Sequence, residues 1–158
     1  MGVAGKWPID GTYWEYGYDE LNQLTNASHM KDDGMTTVTI PGESSQYIYD
    51  DIGNRAAVYE GGGEGQSPYL AAYTSNLLNQ YTARDVPEHV EAVGRTSSGS
   101  IDEVKVNSVT AWLDGRIYAK RVTFDNSAAP VVGEISVSEY INSALIRTSW
   151  WDVFLPKD

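Results

Sequence analysis

Apolar and polar residues alternate along most of this chain in short runs, with turn-forming residues between them. Runs at residues 36–40 and 69–73 in the first half, and at 103–107 and 116–124 in the second, have the two-residue period of a β-strand. A helical pattern is tolerable only over residues 70–81, and the Tyr and Thr residues there favour a strand. The sequence therefore predicts an all-β fold.

A ten-residue pattern recurs three times in the first half. Aligned without gaps, residues 16–25, 47–56 and 73–82 share a first Tyr, an Asp or Asn at the fourth place and an aliphatic residue at the sixth. They also share Asn or Gly at the seventh place and Gln or Asn at the eighth. Agreement at half of the positions indicates a repeated structural unit.

Each copy has the composition of a β-hairpin. Tyr residues at alternate positions lie on one face of a strand, and an Asp or Asn then starts a turn by accepting a hydrogen bond from backbone two residues on. The Asn or Gly three places later tolerates a positive φ, and the aliphatic residue inside the turn is expected to fold back onto the sheet. The predicted repeat residues are Tyr16, Tyr18, Asp19 and Asn22; Tyr47, Tyr49, Asp50, Gly53 and Arg55; and Tyr73, Asn76, Asn79 and Tyr81.

The Tyr-containing pattern ends at residue 83, and a different spacing of apolar and turn-forming residues follows. Short alternating runs are divided by turn residues at spacings that suit a small β-sandwich, and Asp114-Gly115 between two runs is a hairpin signal. The apolar segment 149–156 is expected to add a strand to this or a neighbouring sheet. The predicted domains are 1–83, made of hairpin repeats, and 84–158, a small sandwich-like domain with an apolar C-terminal strand.

The composition excludes several classes of function. There is no Cys, so disulfide frameworks, thiolate metal sites and cysteine nucleophiles are excluded. The 22 acidic and 11 basic residues give a net charge of −11, which repels nucleic acid and anionic lipid. No stretch reaches the roughly 18 apolar residues of a membrane span, and the first residues lack the features of a signal peptide. The sequence predicts no cofactor.

Candidate catalytic groups have simpler structural explanations. Adjacent acids would suit a glycosidase or a calcium site, but Asp19/Glu20 and Asp50/Asp51 occupy turn positions and Asp32/Asp33 lies in a loop before Gly34. His29 is expected in a polar loop and His89 in solvent, so neither is predicted to act as an acid or base. We therefore predict that the chain is not an enzyme, and an acidic-site hydrolase is the least favoured function.

Aromatic residues support an alternative function, a carbohydrate-binding β module. Aromatic rings can stack on the apolar faces of sugars, and Trp112 and Tyr118 in the second half are the candidate stacking residues. The competing interpretation is that the aromatic rings pack the core and the sheet faces, as the Tyr-x-Tyr spacing indicates.

The three copies resemble the YD repeat of RHS-repeat proteins, in which Tyr-x-Tyr-Asp, two residues, and Gly-Arg or Gly-Asn-Arg precede Leu-Thr or similar. The match is close at residues 47–55 (YIYDDIGNR) and good at 16–25 (YGYDELNQLT), and residues 78–82 (LNQYT) fit a variant. Together the likeness covers about residues 7–83. In that family, tandem hairpins coil into a hollow β shell around a toxic C-terminal segment, or form surface-displayed contact proteins.

The resemblance implies a bacterial, non-enzymatic structural segment that is secreted or at the cell surface. Its implied partners are flanking repeats of the same or another RHS-type chain and a toxin cargo. The aromatic residues leave a surface glycan as the alternative partner, and exposed β edges predict self-association. Residues 84–141 are similar to small β-sandwich inserts of such proteins, on the segment VKVNSVTA at 104–111. The Asp-Pro-x-x-Gly-rich junction of the family is missing, so we expect an internal or truncated segment.

Overall fold

The computed structural model describes residues 5–6, 11–63, 65–78 and 80–158. Strands make up 64% of the chain, the sheets are antiparallel, and the described residues contain no helix, which confirms the predicted all-β fold. Accordingly, these residues hold no helix long and apolar enough to cross a membrane. The chain divides into two compact units, Met1–Asp85 and Val86–Asp158.

The first unit is an antiparallel sheet in which every strand pairs with its neighbours in the sequence. Its strands are β1 (Gly5–Lys6), β2 (Thr12–Tyr18), β3 (Leu24–Asp32), β4 (Thr37–Tyr49), β5 (Arg55–Glu60), β6 (Tyr69–Ser75) and β7 (Tyr81–Arg84). Because each connection joins adjacent antiparallel strands, successive turns alternate between the two ends of the strands.

Few described side chains of the first unit are deeply buried, because a single sheet offers only one layer. Ile40, Val58 and Ala71 have exposed fractions of 1%, 0% and 2%. In contrast, the rings of Trp14 and Tyr16 on β2 both remain 37% exposed. The sheet therefore leaves much of its aromatic surface open.

The second unit contains two antiparallel sheets. Its strands are β8 (His89–Arg95), β9 (Glu103–Val106), β10 (Val109–Thr110), β11 (Trp112–Asp114), β12 (Ile117–Thr123), β13 (Val131–Ile141) and β14 (Ala144–Leu155). One sheet has the order β10-β9-β13-β14 and the other has the order β11-β12-β8. Face-to-face packing of two such sheets produces a single apolar core.

The core of the second unit draws on both sheets. Val104, Ile135 and Val137 come from the four-stranded sheet, while Ala92 and Tyr118 come from the three-stranded sheet. All five side chains are at most 7% exposed. Alternate residues of β13 point into this core, so the residues between them form its outer face.

Tight turns of two residues set the strand register in the second unit. Asn107-Ser108 and Asn142-Ser143 both have positive φ at each residue, as in the type I′ turns of hairpins. The predicted hairpin at Asp114-Gly115 is present, with Asp114 paired to Ile117 and Gly115 at φ 60°. The apolar C-terminal segment also forms the strand expected of it, since β14 pairs with β13 along its length.

One expectation about the repeat turns is wrong. The aliphatic residues Leu21, Ile52 and Leu78 do not fold back onto the sheet, since they are 76%, 69% and 77% exposed. Each lies in a turn beyond the last cross-strand pair of its hairpin, where the single-layered unit has no surface to cover it.

Candidate functional site

The three repeat turns have the same hydrogen-bonded structure. Asp19, Asp50 and Asn76 each accept hydrogen bonds through Oδ1 from the backbone amides two and four residues later, at distances from 2.8 to 3.1 Å. The backbone amide of each of these residues donates to the carbonyl four residues later, at 2.9–3.0 Å. Asn22 and Gly53 adopt φ values of 59° and 90°, while Asn79 lies outside the described residues.

The pairing register shifts at the same place in all three hairpins. The residue six places after the turn-capping Asp or Asn has no direct partner, and these residues are Thr25, Ala56 and Thr82. A bulge of one residue bends the strand and increases its twist. The three hairpins are therefore equivalent in turn structure, register and bulge position.

The repeat turns also share one end of the sheet. They follow β2, β4 and β6, and connections that alternate in a meander place these three on the same side. Neighbouring strands lie 4.7–4.9 Å apart, so consecutive repeat turns are separated by two strands, about 10 Å. The repeats thus form a regular row along this edge.

The first Tyr of each copy lies on the same face of the sheet. Tyr16 pairs with Ala27 and Ala27 with Ser45, which shares its face with Tyr47. Tyr47 connects in the same way through β5 and β6 to Tyr73. We call this side the aromatic face; its aromatic residues are Trp14, Tyr16, Tyr18, Tyr47, Tyr49, Tyr69, Tyr73 and Tyr81.

Side chains on the aromatic face connect neighbouring hairpins. The Arg55 guanidinium lies 4.6 Å from the centre of the Tyr47 ring and 5.7 Å from that of Tyr73, within cation–π range. The Tyr81 hydroxyl accepts a hydrogen bond from the Arg55 amide at 2.7 Å, and the Tyr49 hydroxyl donates to the Leu24 carbonyl at 2.8 Å. Each later hairpin is thereby bound to the one before it.

Both histidines lie on strands, so their predicted positions in a loop and in solvent are wrong. His29 is on β3, where its ring stacks on the directly paired Trp14 at 4.8 Å and its Nδ1 is hydrogen-bonded to Glu43. His89 is on β8, with its side chain 10% exposed and its Nε2 3.7 Å from a carboxylate oxygen of Glu91. Strand pairing brings Trp14 to His29, whereas His89 and Glu91 are alternate residues of one strand.

The two candidate glycan-stacking residues have different environments. Tyr118 is 7% exposed and belongs to the core of the second unit, so the expectation that it is exposed for a sugar is wrong. Burial also raises the pKa of its hydroxyl, an effect that Glu139 reinforces. Trp112 is half-buried on β11. Tyr118 lies on the face of β12 that contributes to the core between the two sheets.

The carboxylates in the turns accept hydrogen bonds from backbone amides. Asp32 accepts a hydrogen bond from the Gly34 amide at 2.7 Å, and Asp33 accepts from the amides of Met35 and Thr36 at 2.8 Å. These bonds lower the pKa of Asp33, with the Thr36 amide first among the causes. Within the described ranges, no three His, Asp or Glu side chains gather where they could hold a metal ion.

An exposed apolar surface that the predicted site residues do not include lies on the outer face of β13 and β14. Val132 is 74% exposed, Phe154 directly opposite it is 66% exposed, and Trp150 is 61% exposed. Glu134 and Asp152 form the pair between them. We call these five residues the β14 surface. Its signal in the sequence is the run Trp-Trp-Asp-Val-Phe, which places large apolar residues on both faces of one strand.

The capping carboxylate of the second repeat turn provides a pH-dependent test of its structure. Partial desolvation acts to raise the pKa of Asp50, but hydrogen bonds from Asn54 and nearby amides outweigh it and hold the pKa below 3.8. The stabilisation is therefore complete above that value and is lost as the pH falls through the folded-state pKa. Amide chemical shifts of Ile52 and Asn54 between about pH 6 and pH 2 would follow this loss.

We expect Asp50→Asn to keep the turn at neutral pH and to remove its acid dependence, because Asn76 fills the same position in the third copy. Asp50→Ala should lose the turn at every pH, since it lacks the accepting oxygen. If Asp50→Asn disturbs the amides of Ile52 and Asn54 as much as Asp50→Ala does, the two caps are not equivalent.

Comparison of the chain with protein-family models, characterised proteins and solved structures finds no match.

Proposed function

We propose that this chain is a non-enzymatic structural segment of an RHS/YD-repeat scaffold, which forms part of a β shell or surface sheet that encloses or displays another polypeptide. The observation that carries this proposal is the equivalence of the three hairpins. Their caps, bulges and aromatic positions recur at every second strand of the sheet. Reactive sites usually depend on one unique arrangement of side chains, whereas these side chains repeat and bind the backbone.

The side-chain contacts between neighbouring hairpins explain how such a β sheet is stabilised. An isolated two-stranded hairpin is marginally stable in water, so each copy needs a neighbour. Arg55 and Tyr81 provide that connection between the second and third copies. The same pattern allows the sheet to lengthen by further hairpins, as in repeat proteins whose units contact only their neighbours.

The aromatic face has the exposure and composition of a surface that contacts another polypeptide. Tyr18 and Tyr81 are 58% and 53% exposed, so part of this face is available for contact. Tyrosine offers a large apolar ring together with a hydroxyl group, and this combination is common where proteins meet. The face could therefore cover an enclosed chain without a deep pocket.

Duplicating one repeat tests the proposal. In this variant a second copy of residues 47–72 is inserted after Ala72, so Tyr73 still follows the same 26-residue segment. The insertion should add two strands to the sheet. We expect the longer chain to fold, with the inserted amides as well protected from hydrogen exchange as those of β5, because each repeat contacts only its neighbours.

A control duplicates residues 86–111, an insert of equal length from the sandwich, where no repeat exists. This control should disrupt the second unit, because its strands pair with partners distant in sequence. If the copy of residues 47–72 stays unprotected or unfolds the first unit, the hairpins are not interchangeable units and the scaffold proposal fails.

A further inference from the structure

The free edge of β14 is long and apolar. β14 is the last strand of its sheet, and among the described residues no strand pairs with its second side. Natural edge strands are protected by short length, by Pro or by several charges. β14 has 12 residues, no Pro, and Arg147 and Asp152 as its charged residues. Such an exposed edge is a template for another strand, and its neighbouring apolar patch marks an interaction surface.

A pair of like charges divides the β14 surface. Glu134 and Asp152 are directly opposite each other and both are exposed. Like charges in this arrangement destabilise a sheet. Among the described residues, the ion pairs do not include either carboxylate. The pair therefore favours a positive charge from another molecule, between the exposed rings of Trp150 and Phe154.

We propose that the β14 surface binds an extended, basic segment of a partner polypeptide, which adds as a strand to the free edge of β14. A Lys or Arg opposite Asp152 would lie beside Trp150 and Phe154, with its charge near both carboxylates. Main-chain hydrogen bonds supply affinity in this mode of recognition, and alternate side chains supply specificity. Arg or Lys over an aromatic ring adds a cation–π contribution.

A second copy of this chain is a poorer occupant of the same edge. Pairing of two β14 strands would bring a second Glu134–Asp152 pair close to the first. Each chain carries a net charge of −11, and charges closer than a Debye length of about 10 Å at 0.1 M salt are not fully screened. This inference concerns the second unit alone, so it stands or fails independently of the repeat scaffold.

The test titrates the full chain with a nine-residue synthetic peptide in which Val and Lys alternate, and with a matched peptide in which Glu replaces Lys. We expect saturable one-to-one binding of the Lys peptide and at least tenfold weaker binding of the Glu peptide. Hydrogen exchange should show new protection of alternate amides in β14. A Lys peptide with methylated backbone nitrogens should bind at least tenfold more weakly, because it cannot complete the strand.

Paired variants separate this site from general attraction to an acidic protein. Glu134→Gln with Asp152→Asn should weaken binding of the Lys peptide at least tenfold, and the change relieves repulsion, so the sheet remains folded. The control, Asp51→Asn with Glu88→Gln, removes the same charge from exposed positions elsewhere and should change binding less than twofold. Trp150→Ala should also weaken binding, whereas Val109→Ala, at the exposed other edge of this sheet, should not.

Three results would overturn the proposal. The first is equal loss of binding in the two charge variants, and the second is binding without added protection in β14. The third is protection of β14 in a dimer of the chain without any peptide, which would identify a second copy as the occupant.

Discussion

Replacing Gly94 with Ala is expected to destabilise the second unit by about 3 kcal/mol, the upper part of the usual range for overpacking a core. Gly94 on β8 lies directly opposite Tyr118 on β12, and the ring lies across the glycine. An added Cβ would be 2.5 Å from the Tyr118 hydroxyl oxygen and 2.7 Å from Cζ. The ring cannot easily move aside because Tyr118 is in the core.

Urea unfolding of the full chain, followed through amides of β8 and β12, would measure this effect. The matched control is Gly99→Ala, where the nearest atom to an added Cβ is Arg116 Cδ at 4.0 Å, so that variant should fold like the wild type. A Gly94→Ala protein within about 0.5 kcal/mol of the wild type, the ordinary effect of a surface substitution, would show that Tyr118 does not pack over the glycine.

Local chemistry made the repeat turns predictable from the sequence. An Asp that caps its own turn, followed by Asn22 or Gly53 at positive φ, involves residues within five positions of each other. The same holds for Gly115, which lies between two alternating runs. Because these interactions need no distant partner, the residue types alone determine them.

The exposure of aromatic residues could not be predicted in the same way. Alternation shows that Tyr118 and Trp150 lie on strands, but it does not show which face of each strand a second sheet covers. The four-stranded sheet covers Tyr118, whereas Trp150 lies on the outer face of β14 and stays 61% exposed. The sequence therefore suggested a binding role for the buried Tyr118 and did not show that Trp150 is far more exposed.

Side-chain contacts that depend on strand register could not be predicted from the sequence either. His29 meets Trp14 because β2 and β3 pair with a one-residue bulge near Gly17, and Glu43 reaches His29 from the next strand. A shift of one residue in either pairing would place these side chains on opposite faces. The residues of a turn determine its structure through contacts close in sequence, while the surroundings of a strand residue depend on partners far along the chain.

Ile40→Ala is expected to destabilise the first unit by about 2–5 kcal/mol, the usual range for truncating a buried Ile. The stability of the second unit should not change. Ile40 is 1% exposed and lies in β4 where the pairing with β3 shifts register, between the pairs Met30–Thr39 and Ser28–Ser44. Few other side chains of this single sheet are so deeply buried, so neighbours cannot easily compensate for the cavity.

Hydrogen exchange of the full chain distinguishes the two units in one measurement. Amides of β3–β5 should lose protection in Ile40→Ala, while those of β9 and β13 keep theirs, because the two units have separate buried residues. The control is Val38→Ala on the same strand, where the side chain is 37% exposed and truncation should cost less than about 1 kcal/mol. Equal loss of protection in β13 would mean that the sheet and the sandwich unfold together, and that the hairpins do not form an independently stabilised wall.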